Sequence, residues 1–149
     1  YETVIAQIEA VLDGEANRTA QMATIACLLS EAFPERYFWT GFYLVDPAKT
    51  DELVVGPYQG TMGCLRIAFG RGVCGTAAAS KTTQIVEDVH ALANHIACDS
   101  RSNSEIVVPV LDGTGDLIAV FDVDSTQFAA FDEVDQRYLE GLMKTIFAN

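Results

Sequence analysis

Basic residues are scarce in this sequence: nine Lys and Arg stand against 21 Asp and Glu, for a net charge of −12. The bases are also scattered, from Arg18 and Arg36 through Lys81 and Arg101 to Lys144. A surface that grips phosphate needs clustered Lys and Arg. Nucleic acid and anionic membranes are therefore excluded as partners, and a cationic group such as a substrate ammonium suits the charge better. Long apolar runs are missing too. No stretch approaches the roughly 18 residues of a membrane-spanning helix. Cysteine is sparse, with four in 149 residues and none in a CxxC pair. That excludes a disulfide-dense secreted scaffold and points to a cytoplasmic protein whose thiols either pack or work. Linkers, repeats and low-complexity tracts are also lacking, so residues 1–149 read as one domain.

What is present is a run of strands between helices. Thr3 to Asp13 carries Val4, Ile5, Ile8, Val11 and Leu12 at helical spacing and stops at Gly14. Asn17 caps a second helix presenting Met22, Ile25, Ala26, Leu29 and Phe33. From Tyr37 the period changes to two, with Phe38, Phe42 and Leu44 alternating with Trp39, Gly41 and Tyr43. Asp51 to Tyr58 is its hairpin partner. Short strands over Leu65–Phe69 and Thr82–Val86 flank a short helix over Val73–Ser80. An irregular stretch from Asp88 to Ser104 follows, then strong strands over Ile106–Leu111 and Leu117–Asp124. The last helix, Asp132 to Phe147, shows Val134, Tyr138, Leu142 and Ile146 on one face. This order predicts an α+β fold, one antiparallel sheet with helices packed on it. The irregular stretch is long enough for a functional loop.

Cys27, inside the second helix, reads as a buried small hydrophobe. Cys64, Cys74 and Cys98 fall at element edges or in loops, where packing explains them less well. A zinc site built from them with His90 and His95 lacks the tight ligand pairs of structural zinc, so no metal is expected, and each histidine reads as hydrogen-bonded. Gly70-Arg71-Gly72-Val73-Cys74-Gly75 spells GxGxxG, but the helix after it is short. Glu87 and Asp88 come sooner than the ~20 residues of a dinucleotide fingerprint. No cofactor follows. The glycines instead permit a turn that sets Cys74 near a helix N-terminus, where a thiol pKa is lowered.

Asp122 and Asp124 are two apart on a strand and share a face, about 7 Å from each other. Either that face is solvated, or Glu105 on a paired strand converges with them. Three acids around a thiol would bind an ammonium and raise one another's pKa, leaving one protonated as an acid. Trp39 and Tyr43 share a face with only Gly41 between them, which predicts either core packing or a hollow walled by two rings.

Several segments in order carry a resemblance: Trp39-Thr40-Gly41-Phe42-Tyr43-Leu44, Gly56-Pro57-Tyr58-Gln59-Gly60, the glycine motif above, and Asp88-Val89-His90. His95-Ile96-Ala97-Cys98-Asp99, Ser104-Glu105-Ile106-Val107-Val108-Pro109 and Asp122-Val123-Asp124-Ser125 complete it. Together they closely resemble the free methionine-(R)-sulfoxide reductases, which are built on the GAF fold. The resemblance implies a central six-stranded antiparallel sheet flanked by helices, a closed pocket for free methionine sulfoxide, recycling by thioredoxin, and a homodimer. It makes Cys98 the nucleophile, Cys64 the resolving thiol and Cys74 an accessory position, although the residues alone favour Cys74. It also places Trp39, Tyr43, Glu105, Asp122 and Asp124 around the substrate. The sequence departs from the pattern at Thr61-Met62-Gly63, where a Lys-Pro-like pair is expected.

On this reading the Cys98 thiolate attacks the sulfoxide sulfur and Glu105 donates the proton. Asp122 and Asp124 hold the substrate ammonium, and Trp39 meets the S-methyl group. Asp99, beside the nucleophile, is expected to raise its pKa. The alternative is a non-enzymatic GAF module that senses a small ligand or forms a Cys64–Cys98 disulfide as a thiol redox sensor.

Overall fold

The period-two pattern of the strands decides which residues face which layer. A computed structural model describes residues 1–96 and 98–149. Helices α1 (Glu2–Val11) and α2 (Arg18–Ala32) lead into strands β1 (Trp39–Asp46), β2 (Lys49–Gln59) and β3 (Arg66–Ala68). Helix α3 (Gly72–Ser80) and β4 (Gln84–Val86) follow, then a 3-10 turn over Val89–Ala91, β5 (Ser104–Leu111), β6 (Leu117–Ser125) and helix α4 (Glu133–Phe147). The six strands form one sheet in the order β3-β2-β1-β6-β5-β4, and each neighbouring pair is antiparallel.

Each central strand sends alternate side chains into two separate cores. Phe42, Ile106, Val108, Phe121 and Val123 pack with Val4, Ile8, Ile25 and Leu29 and with Leu139, Leu142 and Met143 of the three long helices. Their neighbours Tyr43, Val107 and Val120 face the other way and pack with Trp39, Leu53, Ile67 and Val73, Cys74 and Ala77 of α3. Asp122 and Asp124 share the parity of Val120, and Glu105 that of Val107. All three acids therefore lie on the α3 side. Glu105 and Asp122 are buried there and Asp124 is half-buried against the pocket, so the solvated-face reading of Asp122 and Asp124 does not hold.

Two helical faces differ from the sequence reading. In α4 the buried positions are Asp135, Leu139, Leu142, Met143 and Phe147, while Val134 is 41% exposed. The two stripes have the same period and differ by one residue, which hydrophobicity alone does not separate. A buried carboxylate decides it. Asp135 completes a capping box with Asp132 and accepts from Arg36 at 2.9 Å and from the Tyr1 hydroxyl. In α1, Val4 and Ile8 are buried, as is Leu12 just after it, but Val11 is exposed. Asn17 caps α2 as expected, its side chain accepting from the Ala20 amide at 3.0 Å. Cys27, read as buried, is only half-buried, with its thiol turned toward Glu31.

Candidate active site

Strand register brings the candidate residues together. Trp39 on β1 lies opposite Asp124 on β6, which lies opposite Glu105 on β5. In the next row Gly41 lies opposite Asp122, and Asp122 opposite Val107. Of the two readings of Trp39 and Tyr43, packing holds between the rings themselves. The rings stack on each other with centroids 5.4 Å apart, and Trp39 also stacks on Tyr58 at 5.0 Å. Gly41 serves a different purpose: a Cβ there would sit 2.2 Å from the Cβ of Tyr58. The support that Tyr58 gives Trp39 was not foreseen, although Tyr58 stands inside one of the segments that carry the resemblance. The space lies beside the aromatic stack, bounded also by α3, the three acids, His95 and the cysteine loops.

The glycine motif before and within α3 is structural. Gly70 and Gly72 have φ of 82° and 61°, and a Cβ on Gly75 would lie 2.4 Å from the carbonyl oxygen of Ala68. The turn delivers Cys74 to the first turn of the helix, as anticipated, but not as a reactive thiolate. Burial, and then the charges of Asp122, Glu105 and Asp124, push its thiol well above the ordinary value. Desolvation and like charge outweigh the helix N-terminus.

Glu105, Asp122 and Asp124 have carboxyl pKa values raised well above the usual range, first by burial and then by one another. None of the ion pairs among the described residues includes them. Asp122 Oδ1 is buried without a hydrogen-bond partner. Three carboxylates clustered away from bulk water cannot all stay ionised unless a cation joins them, because each desolvated charge is costly and the three repel. The cluster therefore holds protons, and it has capacity for a cationic guest. Cys74, Glu105 and Asp122 also place donor atoms within 4.8 Å of one another, a spacing that a small metal ion can span. Neither histidine belongs to that set. His90 pairs with the side chain of Asn103 at 2.8 Å, while buried His95 Nδ1 has no partner and burial lowers its pKa.

The remaining two cysteines are joined. Cys64 and Cys98 form a disulfide with their Cα atoms 5.5 Å apart, within the range such bonds require. Cys98 is exposed and Cys64 half-buried. Hydrogen bonds tie the two loops together as well. The Trp39 indole N–H donates to the Thr61 carbonyl at 2.8 Å, and Thr61 Oγ1 donates to Asp99 Oδ2 at 2.8 Å. Arg101 grips the same carboxylate at 2.7 and 3.0 Å, with its guanidinium 4.9 Å from the centroid of the Phe38 ring. These bonds hold the Asp99 carboxyl far below the usual range. The charge beside Cys98 is thus half of an ion pair and not a bare carboxylate. Gly63 is needed where this loop crosses the aromatic stack: a Cβ there would meet Trp39 at 2.9 Å and the Tyr43 hydroxyl at 3.0 Å.

The family model for the GAF domain matches residues 20–147. The free methionine-R-sulfoxide reductase of Escherichia coli is 43% identical over 96% of this chain and 84% of its own length. That of Saccharomyces cerevisiae is 39% identical over 97% and 82%. A crystal structure of the Neisseria meningitidis free methionine-R-sulfoxide reductase, in complex with its substrate, superposes with a TM-score of 0.90. It is 50% identical and covers 96% of this chain and 83% of that one. This chain belongs to the free methionine-R-sulfoxide reductase family.

In this reductase family member the GAF fold supplies rigid strands for Trp39, Glu105, Asp122 and Asp124, and loops for Cys64 and Cys98. No helix among the described residues is long and apolar enough to cross a membrane.

Proposed function

We propose that this chain reduces free L-methionine (R)-S-oxide to L-methionine by thiol chemistry. The observation that carries the reading is the Cys64–Cys98 disulfide beside a pocket lined by three clustered, mutually repelling carboxyl groups. In this reading Asp124 and Asp122 accept the substrate ammonium, which relieves their repulsion and partners Asp122 Oδ1. Trp39, held by its bond to Thr61, offers an aromatic face to the S-methyl group. Tyr43 backs that indole, and burial with nearby Asp122 keeps its phenol protonated.

The Cys98 thiolate attacks the sulfoxide sulfur while Glu105, protonated because its pKa is raised, gives its proton to the oxygen. The S–O bond breaks and the oxygen passes to Cys98 as a sulfenic acid. The substrate sulfur gains two electrons and the cysteine loses two. Cys64 then attacks the sulfenic sulfur, water leaves, and the disulfide forms. A thioredoxin-type dithiol returns both cysteines to thiols. Cys74, protonated against Glu105 at 3.9 Å, is an accessory group. All electrons move between sulfurs, so the scheme uses no metal or nucleotide cofactor.

Residues 1–149 act in this reading as one catalytic domain, since α1 packs into the same core as the segment that matches the GAF model. A homodimer in the cytoplasm, where dithiol reductants operate, accompanies the proposal. The test is incubation of reduced protein with separate R and S forms of free methionine sulfoxide and a thioredoxin system, following methionine release and NADPH consumption. Turnover confined to the R form is expected. Failure with both forms would leave a ligand or redox sensor.

A further inference from the structure

The proposed cycle ends on a disulfide that needs two electrons from outside, and the surface around it indicates how they arrive. The pocket behind the disulfide is where the proposed cycle seats the substrate, so a protein reductant has to approach from solvent. On the solvent side, Met62 is 80% exposed and Leu65 71% exposed. They are the two most exposed large apolar side chains among the described residues, and they bracket Cys64 in the chain. Isolated exposed apolar residues need no explanation. Two at a redox-active bond, beside an exposed Cys98, form a patch that a partner can desolvate.

Charge adds to the argument. The chain as a whole is strongly acidic, which repels an acidic partner at long range. At this mouth, however, Asp99 is neutralised by Arg101. Arg71, also at the mouth, makes no ion pair among the described residues. The local face can thus accept an acidic side chain.

We propose that Met62 and Leu65 form the docking surface for a dithiol protein of thioredoxin type, one with an apolar rim around its exposed thiol and an acidic group to meet Arg71. The inference rests on the reductase reading above. The partner's thiolate attacks the sulfur of Cys98, the more exposed of the pair, and the Cys64–Cys98 bond breaks with Cys64 leaving as a thiolate. The partner's second thiol then attacks the mixed disulfide and releases the Cys98 thiolate. Two electrons pass to the chain, and the partner keeps a disulfide.

The experiment compares wild type with Leu65→Glu, Leu65→Ser and the double variant Met62→Glu/Leu65→Glu in three assays. These are turnover against thioredoxin concentration, turnover with dithiothreitol, and single-turnover methionine release from pre-reduced protein. Leu65→Glu is expected to raise the KM for thioredoxin by about tenfold, and the double variant by more. For Leu65→Glu, dithiothreitol-supported turnover and methionine release should stay at wild-type values, with Leu65→Ser intermediate in the thioredoxin assay. A mixed disulfide trapped with a thioredoxin lacking its second cysteine should map to Cys98. An unchanged KM for thioredoxin, an equal loss with dithiothreitol, or a trap on Cys64 would overturn the proposal. So would a homodimer that sedimentation shows to dissociate in these variants, since a second copy would then occupy the patch. Absence of methionine release from wild type would instead refute the reductase reading beneath it.

Discussion

The two faces of the sheet are built from the same strands by opposite rules. Toward α1, α2 and α4, the residues Phe42, Ile106, Val108, Phe121 and Val123 fill a dry core in which local preference and packing agree. Toward α3, the intervening positions hold Trp39, Glu105, Asp122 and Asp124, and the carboxyl groups crowd one another away from bulk water. One face is apolar throughout, whereas the other sets beside its own core carboxyl groups the fold would be more stable without. Departures from the packing rules of this kind concentrate where a protein does chemistry. Here a single-residue alternation keeps the two apart.

The widest separation is expected between the thiols. In the proposed cycle Cys98→Ser should abolish methionine release even in a single turnover, because serine cannot take the oxygen. Cys64→Ser should release one equivalent at the normal rate and then stall as a sulfenic acid. Rapid-quench measurement of methionine, with dimedone labelling of Cys98, reads both. Equal loss of the first turnover in the two variants would refute this division of roles.

Next comes the stability of the helix-side face. Phe121 is fully buried and packed at a tilt against Phe42 with centroids 4.9 Å apart. Phe121→Ala should cost about 3–5 kcal/mol, read from denaturant unfolding. A cost below about 1 kcal/mol would mean that this face is not the dry core described.

Asp122→Asn tests the other face, with the opposite sign. Glu105, Asp122 and Asp124 have folded-state pKa values above their unfolded ones, so the folded state binds more protons. Stability then falls as pH rises from the ordinary carboxyl range, about 4, through the raised values. Removing one of the three charges should raise the melting temperature of the reduced, substrate-free protein at pH 8. About 1 kcal/mol corresponds to ~2–4 °C at this size. The difference should vanish near pH 4, and affinity for the substrate ammonium should drop. A variant less stable than wild type at pH 8 would show that Asp122 supports the fold.

The sequence made much of this comparison legible, for identifiable reasons. Period-two alternation put Asp122 and Asp124 on one face and Phe121 and Val123 on the other, because side-chain direction in a strand follows from the backbone alone. The α4 stripe was off by one position, because the buried Asp135 that fixes its rotation is stabilised by Arg36 and Tyr1, partners far away in the chain. The helix N-terminus suggested a reactive Cys74. Carboxyl groups from β5 and β6 reverse that, and their convergence depends on strand order. Tyr58 went unnoticed for a similar reason: it stacks on Trp39 only because a bulge in the β1–β2 pairing near Gly41 and the absence of a Cβ there let the strands close. Local periodicity survives in a sequence, whereas long-range electrostatics and close approach do not.

The smallest expected effect concerns Thr61, which stands where the family resemblance led us to expect a Lys-Pro-like pair. Among the described residues, its hydroxyl makes the one direct hydrogen bond from the Cys64 loop to the Asp99 carboxylate next to Cys98. Asp99 keeps its Arg101 fork without it, so Thr61→Val should leave fold and first-turnover methionine release unchanged. What it loosens is the approach of one loop to the other. A hydrogen bond to a charged group contributes about 1.5–3 kcal/mol, less where water competes, so closure of the disulfide should slow by a few-fold. The sulfenic acid on Cys98 would then persist, giving stronger dimedone labelling after one turnover and greater loss to the sulfinic acid under peroxide. Thr61→Ser, which keeps the hydroxyl, should restore the wild-type rate. If Thr61→Val closes its disulfide as fast as wild type, the aromatic stack beneath the loop is sufficient to position Cys64, and the hydrogen bond adds nothing to the resolving step.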